Sequence, residues 1–371
     1  MNPLTGIYGA ASALRNTLFD HGVLTSHRLD RPVVSVGNLS VGGAGKTPFV
    51  IALGELLKAR GIRFDVLSRG YGRQTRGMLV VDPDGSASDF GDEPLLIARR
   101  LGVPVIVGES RYQAGRVAEK KFDPQLHILD DGFQHRSLAR DFDIVLLADR
   151  DFDDRLLPSG RLREPLASLS RADAIVLPAR VTTENAATEN SAMENAVTSN
   201  TALRGKLLWR MKREIAVPAA AESPVDGVEA DLRRAMDGVE AGLRPAPDGA
   251  LRLRSGQAPP RPHTGLVVFC GIARPEQFFA QVRAAGITPA AEVAFRDHYP
   301  YRHQDIEHLL ATQAKCSAGG FITTEKDAIN LGPLQAELNP LSIASLRVAL
   351  DDSDAVVDAI LARIRAEGVQ S

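Results

Sequence analysis

Short, nearly continuous apolar runs alternate with stretches of helical period along most of this chain. The runs at 33–36, 64–67, 78–81, 103–107, 126–131, 142–147 and 174–177 read as strands, most of them rich in Val, Ile and Leu. Between them, 46–58, the stretch from Asp92 to Arg100, and 110–121 carry helical spacing. Strands without polar alternation, separated by helices, predict a parallel sheet covered on both faces. A second, smaller α/β unit is expected from a strand at 265–270, a helix at 276–285 and an extended piece at 291–295. It continues with a helix at 303–316, a strand from Phe321 into a polar turn at Asp327, a strand at 346–350 and a helix at 355–365.

The pattern fails between 181 and 262. Thr183-Glu-Asn-Ala-Ala187, Thr188-Glu-Asn-Ser-Ala192 and Met193-Glu-Asn-Ala-Val197 form a tandem repeat, and 226–233 is echoed by 237–244. Few large apolar residues occur there, and only 207–211 looks like a strand, so the segment is expected to be a linker carrying a low-complexity, mobile insertion. The expected organisation is therefore a P-loop domain over 1–178, a linker over 179–262 and a C-terminal α/β domain over 263–371.

The N-terminus shows a different pattern. Leu4, Ile7, Tyr8, Ala11, Leu14, Leu18 and Phe19 recur at helical spacing, with Ser12, Arg15, Asn16 and Asp20 lying off that stripe. Such a helix either packs on its own domain or rests in a membrane interface; its polar face is not notably basic, which favours packing. No run of 18 apolar residues is long enough to span a bilayer, and the first residues lack the features of a signal peptide.

Charge changes the picture little. With 44 Lys and Arg against 46 Asp and Glu, nothing suggests a nucleic-acid partner. Cys270 and Cys316 have no ligand-like or disulfide-framework spacing, which suits a reducing compartment and small core residues. The 371 residues suffice for two domains.

Chemistry concentrates where the first strand ends. After Val33–Val36 come Gly42, Gly43, Ala44, Gly45, Lys46 and Thr47, then a helix. Strand, glycine-rich turn, Lys-Thr and helix make the phosphate cradle of P-loop proteins: backbone N–H groups and Lys46 meet the phosphates, and the Thr47 hydroxyl is placed to ligate Mg²⁺. Ser40 occupies the position where the full pattern has its first glycine. Asp130 and Asp131 sit at the tip of a buried strand, where such folds place a metal-binding carboxylate. Glu164, in Pro158-Ser-Gly-Arg-Leu-Arg-Glu-Pro165, is another candidate ligand, and Arg161 and Arg163 are candidate phosphate contacts; a solvated charged loop is the alternative. Asp92, in Gly91-Asp-Glu-Pro94, has by itself the character of a helix N-cap. His298, in Asp297-His-Tyr-Pro-Tyr301, lies between a carboxylate and aromatics in a loop of the second unit.

Eight motifs in order carry a resemblance. Gly37-Asn-Leu-Ser-Val-Gly-Gly-Ala-Gly-Lys-Thr-Pro48, Ser68-Arg-Gly-Tyr-Gly-Arg73, Gly91-Asp-Glu-Pro94 and Asp130-Asp-Gly-Phe-Gln-His135 are the first four. Pro158–Pro165, Phe269-Cys-Gly-Ile-Ala-Arg-Pro275, Asp297-His-Tyr299 and Thr323-Thr-Glu-Lys-Asp327 complete the series. Together they resemble the tetraacyldisaccharide 4′-kinases of lipid A biosynthesis. The resemblance implies ATP and Mg²⁺ as cofactors and an acylated glucosamine disaccharide 1-phosphate as acceptor. It also implies peripheral work at the cytoplasmic face of the inner membrane, with neither nucleic acid nor an obligate protein partner. By the same resemblance, Lys46 and Thr47 serve ATP and metal; Asp130, Asp131 and Glu164 form the acidic metal environment; and Asp92 acts on the 4′-hydroxyl with His298. Arg69, Arg73 and Arg111 are then candidates for the phosphate and sugar of the lipid. The competing class is a P-loop switch ATPase or GTPase that regulates a partner.

Overall fold

The structure is a computed structural model, and it describes residues 3–179, 197, 199–217 and 265–368. Both repeats of the insertion, apart from Val197, lie outside the described residues.

Twelve strands form one sheet in the order β10-β9-β11-β12-β8-β7-β6-β1-β5-β2-β4-β3. In chain order these are β1 (Val33–Asn38), β2 (Phe64–Ser68), β3 (Leu79–Val80), β4 (Val105–Val107), β5 (Leu126–Asp130) and β6 (Phe142–Leu146). They continue with β7 (Ala174–Pro178), β8 (Leu207–Ala216), β9 (Leu266–Cys270), β10 (Pro289–Ala294), β11 (Phe321–Thr324) and β12 (Leu341–Leu350). Pairing is parallel as expected, except at β3–β4 and at β8–β12. The helices are α1 (Pro3–Asp20), α2 (Lys46–Ala59), α3 (Ala87–Phe90), α4 (Asp92–Leu101) and α5 (Arg111–Phe122). After β9 come α6 (Pro275–Ala284), α7 (His303–Cys316), α8 (Glu325–Leu331) and α9 (Ser353–Gly368).

The period-two geometry of strands sorts their side chains between the two faces. Val34, Val36 and Ile128 enter a core with Phe49, Leu53 and Leu57 of α2 and Leu95, Ile97 and Leu101 of α4. Their neighbours Val33 and Leu129 enter the opposite core with Ala114 and Ala118 of α5. The C-terminal strands repeat the arrangement, Phe269 and Phe321 facing α7 residues and Val268 and Ile322 facing α6 residues.

Three elements differ from their expected form. β8 runs through Ala216 rather than ending at 211, and it joins the sheet between β7 (parallel) and β12 (antiparallel). The sheet is therefore continuous through both expected domains. Residues 325–331 are a helix, capped by the Thr324 hydroxyl accepting from the Asp327 amide at 3.1 Å, where a polar turn was expected. The third difference is the face that α1 presents. None of its residues is buried, and Leu4, Ile7 and Leu14 are 58%, 66% and 61% exposed. It docks through polar groups instead: the Tyr8 hydroxyl donates to the Arg163 carbonyl at 3.0 Å, Arg15 to the Gln134 carbonyl at 2.8 Å and Asn16 to Glu164 at 2.7 Å. Leu4, Ile7 and Leu14 of the expected stripe point outward, while Tyr8, Leu18 and Phe19 are half-buried. No helix among the described residues is long and apolar enough to cross a membrane.

Candidate active site

The parallel strands β1, β2 and β5 end on one side of the sheet, where open α/β sheets hold their ligands. A cleft of about 990 Å³ opens there, lined by residues 42–47, Arg69, Glu93, Asp130, Asp131, Glu164, Asp297, His298 and Lys326 among others.

The glycine loop takes the backbone that its sequence requires. Gly42 and Gly45 have φ of 89° and 86°, in the region that disfavours side chains, and Gly45 leads directly into α2. Lys46 Nζ donates to Asn38 Oδ1 at 3.0 Å and lies 3.3 Å from Asp131 Oδ1. The departure at Ser40 has a structural counterpart. That residue is fully buried in a bridge to Leu162, and the next amide, Val41, donates to the Arg161 carbonyl at 2.8 Å. The 157–165 loop thereby braces the start of the cradle.

Asp130 and Asp131 have separate environments. Asp130 is buried, accepts from the Ser68 hydroxyl at 3.2 Å and leaves Oδ1 without a partner. Burial first, then the charges of Glu93 and Asp131, push its carboxyl up to about 7 against the pull of Lys46. For Asp131 burial also acts upward, but Lys46 and Arg163 outweigh it and hold the carboxyl below its ordinary range; Arg163 Nη1 reaches it at 3.0 Å. Glu164 is buried, accepts from Asn16 and from Arg171 at 2.8 Å, and leaves Oε1 unpartnered. Among the described residues, no three His, Cys, Asp or Glu side chains come together as a preformed metal cage. Two buried, unpaired carboxylate oxygens on residues that line the same cleft as Thr47 do fit Mg²⁺, which binds few protein oxygens and completes its shell with phosphates and water.

Asp92 is the first residue of α4 rather than its N-cap, and Gly91 precedes it with φ 88°. A Cβ on Gly91 would stand 2.8 Å from the Tyr71 carbonyl, so this glycine lets the 68–73 loop lie against the start of the helix. Asp92 is 4% exposed yet richly held. It accepts from the Glu93 amide at 2.8 Å, from Asn330 at 3.1 Å and from His298 Nδ1 at 2.8 Å. Burial would raise its carboxyl; the His298 hydrogen bond, the Lys326 charge and the Asn330 amide overcome it and hold the pKa below the ordinary value. For His298 burial acts downward, and the bond to Asp92 reverses it, so the imidazole lies above its usual value. Lys326 Nζ sits 3.2 Å from His298 Nε2 and 3.1 Å from Asp297.

The structure thus brings Asp92 and His298 into contact across 206 residues of sequence. Of the three arginines suggested for the lipid, Arg69 lines the cleft. Arg73 donates to the Gly77 carbonyl at 2.6 Å, and Arg111 is buried and donates to the Glu109 carbonyl at 3.0 Å. Burial and the neighbouring charge of Arg69 push Arg111 down to about 10. Lys326 and Asn330 were not anticipated as site residues. The one signal, for Lys326 alone, was the Thr-Thr-Glu-Lys-Asp motif, which places Lys326 after a strand end but does not say what it faces.

Residues 1–365 match the family described as tetraacyldisaccharide-1-P 4′-kinase. The chain belongs to that family. A tetraacyldisaccharide 4′-kinase from Koribacter versatilis is 44% identical over 368 residues, covering 97% of this chain and 98% of the relative. One from Geobacter metallireducens is 37% identical over 367 residues, covering 95% and 94%. Among solved structures, LpxK from Aquifex aeolicus in complex with ATP is similar, with a TM-score of 0.67, 32% identity and coverage of 98% and 97%. All eight motifs lie within the matched residues, and family membership disfavours a regulatory switch NTPase. The relatives above are named tetraacyldisaccharide 4′-kinases, and this chain is a kinase of that family.

Proposed function

We propose that this chain transfers the γ-phosphate of ATP to the 4′-hydroxyl of a tetraacylated glucosamine disaccharide 1-phosphate, with Asp92 and His298 as the pair that takes the hydroxyl proton. The chain is a kinase of the tetraacyldisaccharide family. The observation that carries the assignment of roles is the 2.8 Å contact between Asp92 Oδ2 and His298 Nδ1 in the cleft that residues 42–47 also line. An imidazole raised above its usual value by a bonded carboxylate makes a pair that can take the proton of an alcohol nucleophile. Lys46 and the loop amides hold the phosphates, so catalysis is mostly positioning and charge neutralisation.

Thr47, Asp130 and Glu164 are the groups that would hold Mg²⁺, which when bound neutralises charge on the phosphates. Asp131 keeps Lys46 and Arg163 in place. Arg69 faces the acceptor, while Arg73 and Arg111 support the loop beside it. The outward stripe Leu4, Ile7 and Leu14 on α1, next to the cleft-lining Tyr8 and Arg15, suits peripheral contact with the membrane that supplies a lipid substrate, at the cytoplasmic face of the inner membrane.

The pairing is tested by turnover of Asp92→Asn, His298→Ala and the double variant. Each single change should cost about 10²–10⁴-fold, the range for general acid–base groups, and the double change should be little worse than the poorer single one. Strictly multiplicative losses would separate the two residues.

A further inference from the structure

Two guanidinium groups without a role so far line the cleft beside the glycine loop. Arg213, on β8, is so close that a Cβ on Gly45 would lie 3.4 Å from its Cδ and 3.5 Å from its Nη1. Ala273, just before Arg274, overhangs the preceding turn, 3.9 Å from where a Cβ on Gly42 or Gly43 would sit. Arg213 and Arg274 line the same cleft as residues 42–47.

Arg274 is unusual in its burial. It is 9% exposed, and its Nε and Nη2 are buried with no hydrogen-bond partner among the described residues. A guanidinium presents five N–H donors and keeps its charge, so leaving the three on Nε and Nη2 dry and unpaired is costly. Its charged neighbours are mostly cations. Burial, then Arg150, Arg213 and Arg161, push Arg274 down to about 10, with Asp151 opposing them. Burial also lowers Arg213, against the pull of Asp149. The nearby carboxylates are partly committed: Asp154 is held by Arg161 at 3.1 Å, and Asp151 accepts from the Ala148 amide at 2.9 Å.

Guanidinium groups gathered beside a helix N-terminus and a nest of loop amides form an anion site, and their planar forks suit phosphate oxygens. We infer that Arg213 and Arg274 clamp the polyphosphate tail of the nucleotide against the glycine loop. The inference rests on the ATP-dependent reading above. The polyphosphate is favoured over the lipid phosphate because Arg213 lies against Gly45 and Arg274 follows Ala273, which overhangs Gly42 and Gly43, in the cleft that this phosphate-path segment lines. Arg274 also belongs to the loop whose Gly271 carbonyl accepts from the His298 amide at 3.2 Å, so the clamp ties nucleotide binding to the loop that presents the proton acceptor.

Isothermal titration of the full chain with ATP and with AMP, together with KM for ATP and for the disaccharide lipid, tests this. Arg274→Gln and Arg213→Gln should each weaken ATP by about 10- to 100-fold, the scale of a charge-assisted phosphate contact, while AMP and the KM for lipid stay within about 3-fold. Arg274→Lys should recover part of the loss. Because the buried donors of Arg274 have no protein partner, Arg274→Gln should keep or raise the melting temperature. ATP affinity equal to wild type in both Gln variants overturns the clamp, whether the lipid KM rises (a lipid-phosphate site) or only the melting temperature falls (a structural pair). If Arg274→Gln fails to fold, Arg213→Gln carries the same test alone. Failure of the wild-type chain to bind ATP would instead overturn the kinase reading, and the clamp with it.

Discussion

Replacing Lys326 by Met should move the acidic limb of the pH–rate profile upward. The Lys326 ammonium lies 3.8 Å from Asp92 Oδ2 and 3.2 Å from His298 Nε2. At that second distance Nε2 must accept, so the imidazole proton sits on Nδ1 and points at Asp92. The cation favours ionised Asp92 and disfavours charged His298, and removing it raises both pKa values. Coulomb's law with an effective dielectric of about 20 gives roughly 4 kcal/mol for unit charges at 3.8 Å, an upper bound; a third of it is already about one pKa unit. The pair must be able to accept a proton to act. The acidic midpoint of kcat/KM for the lipid, measured at saturating ATP between pH 5 and 9, should therefore rise by about one unit in Lys326→Met, and Lys326→Arg should restore most of it. A folded Lys326→Met protein whose midpoint matches wild type would refute the argument.

Lys46→Ala should lower turnover by about 10²-fold or more with an unchanged circular dichroism spectrum, the scale for losing one charge-stabilising group; full activity would remove the P-loop from the mechanism. Asp130→Asn should raise the melting temperature at pH 8, and the gain should shrink towards pH 4. A carboxyl raised to about 7 in the fold loses stability as pH climbs from its unfolded value near 3.8, and an amide does not; a pH-independent difference would contradict this. Changing Leu4, Ile7 and Leu14 to Ser should weaken sedimentation with anionic vesicles and leave turnover on detergent-dispersed lipid nearly intact, and unchanged sedimentation would remove α1 from the membrane contact. Deleting 183–196, which spares Val197 in its core with Leu169 and Leu203, should leave activity within about 2-fold; a loss of several degrees in melting temperature would show that the repeats add packing.

Local chemistry was legible in the chain, and long-range pairing was not. Val33–Val36 followed by Gly42–Thr47 specifies a strand, a loop and a helix within 15 residues, and the structure builds all three. β8 and β12 were underestimated because only Met211 and Ala344 in them are fully buried: Lys212, Arg213 and Glu214 break the apolar run of β8, and Ser342 and Ser345 that of β12. Their antiparallel register, Val348 opposite Arg213, depends on a partner more than 130 residues away. α1 was misread because hydrophobic periodicity identifies a stripe without saying what covers it. Here Tyr8, Arg15 and Asn16 supply directed hydrogen bonds to the body, and Leu4, Ile7 and Leu14 are left outside. Asp92 alone matched a helix cap, and only the fold brings His298, Asn330 and Lys326 around it.

The central claim is phosphoryl transfer to a sugar hydroxyl of a lipid. Incubation of the full chain with γ-labelled ATP, Mg²⁺ and the tetraacylated disaccharide 1-phosphate tests it directly. The account predicts label in the lipid at the 4′-position, dependent on Lys46 and Asp92. Label found only in inorganic phosphate, at a rate indifferent to the lipid, would contradict it.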